Sequence, residues 1–174
     1  VTDGKLTVAT SPDFAPYEFY SIDEDGNPTL SGFDMDLAQY IADYLGLELE
    51  VVTVDFDGVI SELQTKSVDL GMAGLSPDEK RMGIMDFSDL YYMGGQSLVT
   101  VKDNAEKYNS FEAINKPDVS VGAQVGSIQM DLAETNSPDA DIVGLPKVTD
   151  IISELLTGKM DAAYIETDVA KSYQ

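Results

Sequence analysis

The apolar positions of this chain switch between a two-residue and a helical period, and the switches divide it into elements. "KLTVAT" (5–10) is a short β-rich run stopped by the breaker pair Ser11-Pro12. "YEFYSIDEDGNPTLSGF" reads as two extended pieces around an Asp-Gly-Asn-Pro turn. A turn is preferred to a calcium loop at "DEDGN", because Pro28 stands where the loop's glycine belongs and no glutamate closes it. "DMDLAQYIADYLG" (34–46) sets Met35, Ala38, Ile41, Ala42 and Leu45 at helical spacing, with Asp34 placed to cap and Gly46 placed to terminate. "LELEVVTV" then reads as a strand, "DFDGVISELQTK" as a helix begun near Asp57, and "VDLGMAG" as a buried strand. Strand, helix, strand, helix, strand is the order of a parallel α/β sheet.

The pattern recurs. "VISELQTKSVDLGMAG" (59–74) aligns without gaps on "IISELLTGKMDAAYIE" (151–166), and six of sixteen positions are identical. Both stretches carry the same helix-then-strand periodicity, which predicts two lobes of similar design. The first lobe is expected over 1–98 and the second over 99–174. The join is the extended run "GGQSLVTV" (94–101), followed by the polar loop "KDNAEKYNS". "VSVGA" (119–123) opens the second sheet and "GSIQMDLAET" is its first helix.

Composition narrows the chemistry. Hydrophobic residues make up 43% of 174, enough for a core. Thirty-two acidic residues against 10 basic ones give a formal net charge of −22, which argues against nucleic acid and anionic lipid surfaces as partners. There is no cysteine and no histidine, so thiolate chemistry, disulfides, the usual zinc sites and histidine triads are excluded. No metal or cofactor is expected. No apolar run approaches the roughly 20 residues of a membrane span. Val1 is not followed by a basic segment and an apolar run, so any export signal is expected to have been removed or never to have existed.

In open α/β sheets ligands bind beyond the carboxyl ends of the strands. Three such loops carry polar candidates. "GLSPDEKR" holds Arg81, the single arginine beside nine lysines. Ser76 is an N-cap candidate there, with Pro77 at N1 and Glu79 at N3. A helix start with a guanidinium beside it makes a carboxylate receptor, although a capped helix whose arginine forms a surface pair fits the motif as well. In "QVGSIQM", Gly126 and Ser127 precede a helix and offer backbone donors. In "MDAAYIETD", Glu166 follows a buried strand, where it can hold an ammonium or cap a helix.

Taken in order, "ATSPDFAPYEF", "GFDMDLAQYIADYLG", "DFDGVISEL", "VDLGMAGLSPDEKR", "MDFSDLYY", "VGAQVGSIQ" and "GKMDAAYIETDVAKSY" resemble the polar amino-acid-binding proteins of bacterial ABC importers, solute-binding family 3. The resemblance implies a two-lobed periplasmic-binding-protein (type II) fold, each lobe a mostly parallel sheet flanked by helices. It implies that Arg81 holds a ligand α-carboxylate, helped by backbone N–H groups at Ser76 and Ile128. The α-ammonium would meet Glu166, the Gly74 carbonyl and the Ser76 hydroxyl. Phe14 and Phe56 would sandwich the ligand side chain, while Ser11, Ala73 and Gln124 would tune specificity. Ser127 would join from the second lobe on closure.

The sequence departs from the family's pattern in three places: Glu166 stands where aspartate is common, Ser11 replaces an aspartate of some members, and the chain ends at "AKSYQ", before the family's usual end. The first lobe is therefore expected to be short of a strand and a helix, and open to edge pairing with another chain. The implied role is a free L-amino acid clamped between lobes and delivered to ABC permease subunits, in the periplasm or at the outer face of the membrane, with a lipid anchor as one means of attachment. A ligand-sensing domain of a receptor or kinase, and a dehydratase-like enzyme, are the alternatives on this fold.

Overall fold

The computed structural model describes residues 4–174, so the reading made at Val1 lies outside it. The chain divides after Tyr92 into two compact units. Among the described residues no helix is long and apolar enough to cross a membrane.

The first unit is built on β1 (Lys5–Thr10), which forms where "KLTVAT" predicts it. The elements that follow are β2 (Asp13–Phe14), β3 (Glu18–Ile22), β4 (Pro28–Ser31), α1 (Phe33–Leu45), β5 (Glu48–Thr53), α2 (Phe56–Gln64), β6 (Leu70–Gly71) and α3 (Glu79–Met82). β1 lies between parallel partners in the order β5-β1-β6, with Val8 level with Val51 on one side and Leu70 on the other. A central parallel strand is covered on both faces, which explains its mostly apolar sequence. Leu6 and Val8 pack with Ala38 and Ala42 of α1, while Ala9 packs with Phe56 and Val59 of α2. β2, β3 and β4 form a separate antiparallel sheet. Its hairpin closes through Asp23, whose carboxylate accepts from the Asp25 and Asn27 N–H groups at 3.0 and 2.7 Å.

Two local expectations are corrected here. Asp34 does not cap α1: the N-cap is Gly32, and the first helical N–H groups of Phe33 and Asp34 donate instead to the Pro16 and Tyr17 carbonyls. α2 begins at Phe56, beside Asp57 as expected, with Asp55 as its N-cap. The buried strand expected over 68–74 pairs only through Leu70 and Gly71, because the chain then leaves the sheet as a loop. Gly46 does end α1, in the left-handed conformation.

The second unit comprises β7 (Gln96–Val99), a 3-10 turn (Lys102–Asn104), α4 (Phe111–Ile114), β8 (Ser120–Gln124), α5 (Ile128–Asn136), β9 (Asp141–Leu145), α6 (Val148–Leu156), β10 (Ala162–Glu166) and α7 (Thr167–Ser172). Its sheet runs β7-β10-β8-β9, parallel except for β7. The expected boundary at 98 is thus too late. Gln96 to Val99 pair with Glu166 to Ala163 of β10, and those hydrogen bonds carry the whole of β7 into the second unit. One face of the sheet packs Val121 and Ala123 of β8 and Tyr164 of β10 against Ala133 of α5. On the other, Gly122 lets α6 and the Met160 side chain lie close, since an added Cβ would fall 2.2 Å from Met160 Sδ.

The two aligned stretches fold alike. α2 leads to β6 and α6 leads to β10 through the same corner. Thr65 and Thr157 each turn a hydroxyl back to the carbonyl four residues earlier, at 3.0 and 2.8 Å. Lys66 and Gly158, at equivalent positions, both adopt positive φ, 57° and 71°. Asp69 and Asp161 each accept an N–H from the neighbouring first strand, Thr7 at 2.9 Å and Ser120 at 3.0 Å. The shared threonine and aspartate of that alignment are therefore residues whose side chains make the corner.

Gly32 offers a sharp check on this packing. Its φ is +125°, and a Cβ there would lie 2.3 Å from the Tyr17 carbonyl oxygen. Gly32→Ala should lower the stability in urea by about 3 kcal/mol or more, from backbone strain and overpacking together. Gly46→Ala, at φ +69° with nothing within 4 Å, should cost only about 1 kcal/mol.

Candidate functional site

Every candidate residue lies at or beyond the carboxyl end of a parallel strand, which is where such sheets expose unpaired backbone and ligand-binding loops. In the first unit Ser11 and Phe14 follow β1, Phe56 opens α2 after β5, and Ala73, Gly74, Ser76 and Arg81 follow β6. In the second, Gln124 ends β8, Ser127 and Ile128 follow it, and Glu166 ends β10.

Arg81 is 6% exposed. A guanidinium is kept from water only where partners offset the lost hydration. Here Nη1 donates to the Ser76 carbonyl at 2.8 Å, Nε pairs with Asp78 Oδ2 at 3.2 Å, and the group lies 5.7 Å from the centre of the Phe56 ring. These contacts set the plane of the fork before any ligand arrives. The expected cap is corrected: Asp78, not Ser76, caps α3, accepting the Arg81 N–H at 2.8 Å. Ser76 lies in the extended run before that single-turn helix, because its carbonyl is committed to the arginine. Its N–H is therefore not one of a helix start, and Glu79 is the first helical residue rather than the third.

Gly74 sits against Phe14, whose Cε1 would be 3.0 Å from an added Cβ, and its φ of +57° favours glycine. Its N–H donates to Asp34 Oδ2 at 2.9 Å. Asp34 Oδ1 accepts the Tyr91 hydroxyl at 2.8 Å. Burial and then the Asp34 charge hold the Tyr91 phenol far above its ordinary range, so it stays a donor. Phe14 stacks on Tyr17 at 5.6 Å between ring centres. Ala73 is fully buried among Ala9, Phe56, Val59 and Val68. The Ser11 hydroxyl donates to Asp13 at 2.8 Å, so a buried carboxylate stands two residues from the position where an aspartate is replaced.

In the second unit Ser127 is the N-cap of α5: its hydroxyl accepts the Met130 N–H at 3.3 Å and donates to the Gln124 carbonyl at 2.7 Å. Ile128 is the first residue of that nine-residue helix, and a first-turn N–H has no partner within its own helix. The Gln124 amide donates to the Pro146 carbonyl at 3.0 Å. Of the two roles left open by the sequence for Glu166, the structure shows the helix cap. Oε2 caps α7 through the Asp168 and Val169 N–H groups at 2.7 and 2.9 Å, while Oε1 is buried without a hydrogen-bond partner among the described residues.

Sequence reasoning did not single out four residues that hold the candidates in place. Asp34 reads only as a cap, and Asp78 and Asp13 carry no assigned role. Gln129, buried on α5 and donating to Gln96 Oε1 at 2.7 Å, gave no signal at all. The spacing of Asp78 to Arg81, three residues apart with helix to follow, was a usable capping signal. Among the described residues no three metal-ligating side chains gather at one point.

The profile of the bacterial extracellular solute-binding proteins, family 3, matches residues 6–125. The chain is 34% identical over 171 residues to the arginine-binding extracellular protein ArtP of Bacillus subtilis, covering 97% of this chain and 64% of that one. It is 29% identical over 158 residues to a cyclohexadienyl dehydratase of Pseudomonas aeruginosa, covering 91% and 58%. Among solved structures, an amino acid ABC transporter substrate-binding protein of Streptococcus pneumoniae bound to L-arginine superposes with a TM-score of 0.94 at 38% identity, covering 98% of this chain and 70% of that one. The chain thus spans less than two thirds of the length of these two curated relatives.

The helix cap made by Glu166 is directly testable. Glu166→Ala removes the α7 cap and should cost about 1 kcal/mol in urea denaturation, within the roughly 0.5–2 kcal/mol of a lost cap. Glu166→Gln keeps an acceptor for the helix and should recover most of that loss.

Proposed function

The chain belongs to the bacterial extracellular solute-binding proteins of family 3, and on that footing we propose that it binds a basic or polar L-amino acid for an ABC importer, at the outer side of the cell membrane. The observation that carries this reading is the buried Arg81, held in plane by Ser76, Asp78 and Phe56 at the carboxyl end of the first unit's sheet. A pre-oriented guanidinium recognises a carboxylate with two parallel hydrogen bonds and loses little side-chain entropy on doing so.

In the first unit, taken by itself, Arg81 suits an α-carboxylate, the Gly74 carbonyl and Ser76 hydroxyl an ammonium, and Phe14 and Phe56 a side chain. In the second unit, taken by itself, the Ile128 N–H suits a carboxylate and Glu166 an ammonium. Its Oε1 is an acceptor buried without a donor, which a ligand ammonium would satisfy. In the first unit Ala73 and Ser11 set the shape around a ligand side chain; in the second Gln124 is a specificity candidate and Ser127 acts through the helix start it caps. A cation is favoured by the aromatic faces and by the Asp13 carboxylate that holds Ser11. The arginine-binding relative and the arginine-bound pneumococcal structure support L-arginine as the first ligand to try. Delivery to permease subunits is supported by the likeness to an amino acid ABC transporter substrate-binding protein.

The dehydratase relative gives a second reading some footing. Binding is preferred because the chain has no histidine and the site's acid–base groups are committed: Glu166 caps a helix and Asp34 holds a loop.

Calorimetric titration with L-arginine, L-histidine and L-glutamine tests the proposal, with L-arginine expected to bind most tightly. Arg81→Ala should weaken binding by roughly thirtyfold to several thousandfold, the 2–5 kcal/mol cost of leaving a desolvated charge unpaired. Unchanged affinity in that variant would remove Arg81 from the site. Turnover of prephenate would overturn the binding reading in favour of the enzyme.

A further inference from the structure

The hydrogen-bond network of the first unit contains one pair that ordinary ionisation does not explain. Glu18, in β3, is 0% exposed, and neither of its carboxyl oxygens has a hydrogen-bond partner among the described residues. The groups that face it are the Asp34 carboxyl from α1, Asp13 from β2 and the Tyr91 hydroxyl. No cation is among them. A carboxyl buried with no donor and no counter-charge, beside a second buried carboxyl, is disfavoured in its charged form. The assignment follows from the donors. Asp34, also 0% exposed, already accepts the Gly74 N–H through Oδ2 and the Tyr91 hydroxyl through Oδ1. Asp34 thus has two donors, whereas among the described residues nothing donates to Glu18.

We propose that Asp34 is the positioning residue of the Gly74 loop, held as a lone buried carboxylate because Glu18 is the protonated partner that donates to it. The Gly74 N–H bond fixes the peptide at φ +57°, against the Phe14 ring, and so sets where the run from Ser76 to Arg81 begins. Burial and then the Asp34 charge push the Glu18 carboxyl well above its ordinary range, in keeping with the geometry. The effect on ligand binding rests on the amino-acid reading above. The pair itself does not.

Two measurements without ligand come first. In protein labelled with 13C at glutamate, the Glu18 side-chain carbon, identified by its loss in Glu18→Gln, should report a neutral acid at pH 7. An ionised Glu18 would overturn the proposal. Because the folded state keeps this proton above the pH at which the unfolded chain loses it, wild-type stability should fall as pH rises beyond the ordinary glutamate range. The fall should stop only when the folded protein loses the proton, and Glu18→Gln should not show it. An identical profile in the variant would count against the pair.

The positioning role is read by Asp34→Asn. Hydrogen exchange at the Gly74 amide should speed up, and L-arginine affinity should fall, each by about ten- to a hundredfold, the worth of a hydrogen bond to a charged group. Glu18→Gln, whose amide can still donate to Asp34, should keep both near wild type. If wild type binds no amino acid while the Gly74 amide is protected and Glu18 is neutral, the binding reading fails and the pair stands. If folded Asp34→Asn protects Gly74 as wild type does, the positioning role is overturned. Should that variant not fold, the Glu18 titration and the Glu18→Gln profile still decide the pair.

Discussion

A parallel strand pair cannot be closed by a hairpin, and much of this architecture follows from that constraint. The chain must leave the carboxyl end of each strand, cross back through a helix, and re-enter at the amino end. In both units this collects the polar loops at one edge of a sheet whose faces are sealed by helices. β1 and β8 stand at the centre of their sheets, so Leu6, Val8, Val121 and Ala123 are consumed by packing. The candidate residues lie just beyond: Ser11, Gly74 and Arg81 in one unit, Gln124, Ser127 and Glu166 in the other. The corner that returns each helix to its strand recurs with the same threonine, the same positive φ and the same aspartate bond to the neighbouring strand.

Burial of charge distinguishes the loops from the sheets. Arg81, Asp34, Glu18 and Glu166 are each nearly or fully removed from water. Each resolves the cost differently: Arg81 through a carbonyl, a carboxylate and an aromatic face, Asp34 through two donors. Glu18 resolves it by holding a proton, and Glu166 by giving one oxygen to a helix and keeping the other idle. A buried acceptor without a donor is rare in a finished core, and Glu166 Oε1 is one among the described residues. The strongly acidic composition does not reach this chemistry, because solvated surface carboxylates are screened while these four act at hydrogen-bond range.

The elements were largely legible because periodicity is a local property. β1 and the helix ended by Gly46 lie where the pattern puts them, and the hairpin around Asp23 has the turn its residues demand. The family was legible for a different reason: its motifs occur in order along the chain. Capping was less legible. Asp34 and Ser76 both have good capping chemistry, yet carbonyls from a distant turn satisfy the first helix, and Asp78 takes the third. Capping is decided by which acceptor reaches the N–H group, and a sequence shows only which ones are nearby.

The sequence by itself determined the alternation of strands and helices, the repeated corner and the single arginine in a loop after a strand, since each is written in neighbouring residues. Only the tertiary structure decided that Gln96 to Val99 belong with β10, that Asp34 reaches across 40 positions to Gly74, and that Glu18 meets a second carboxyl with no cation beside it. Those outcomes depend on distances between residues far apart in the chain, and on how much water folding leaves around them.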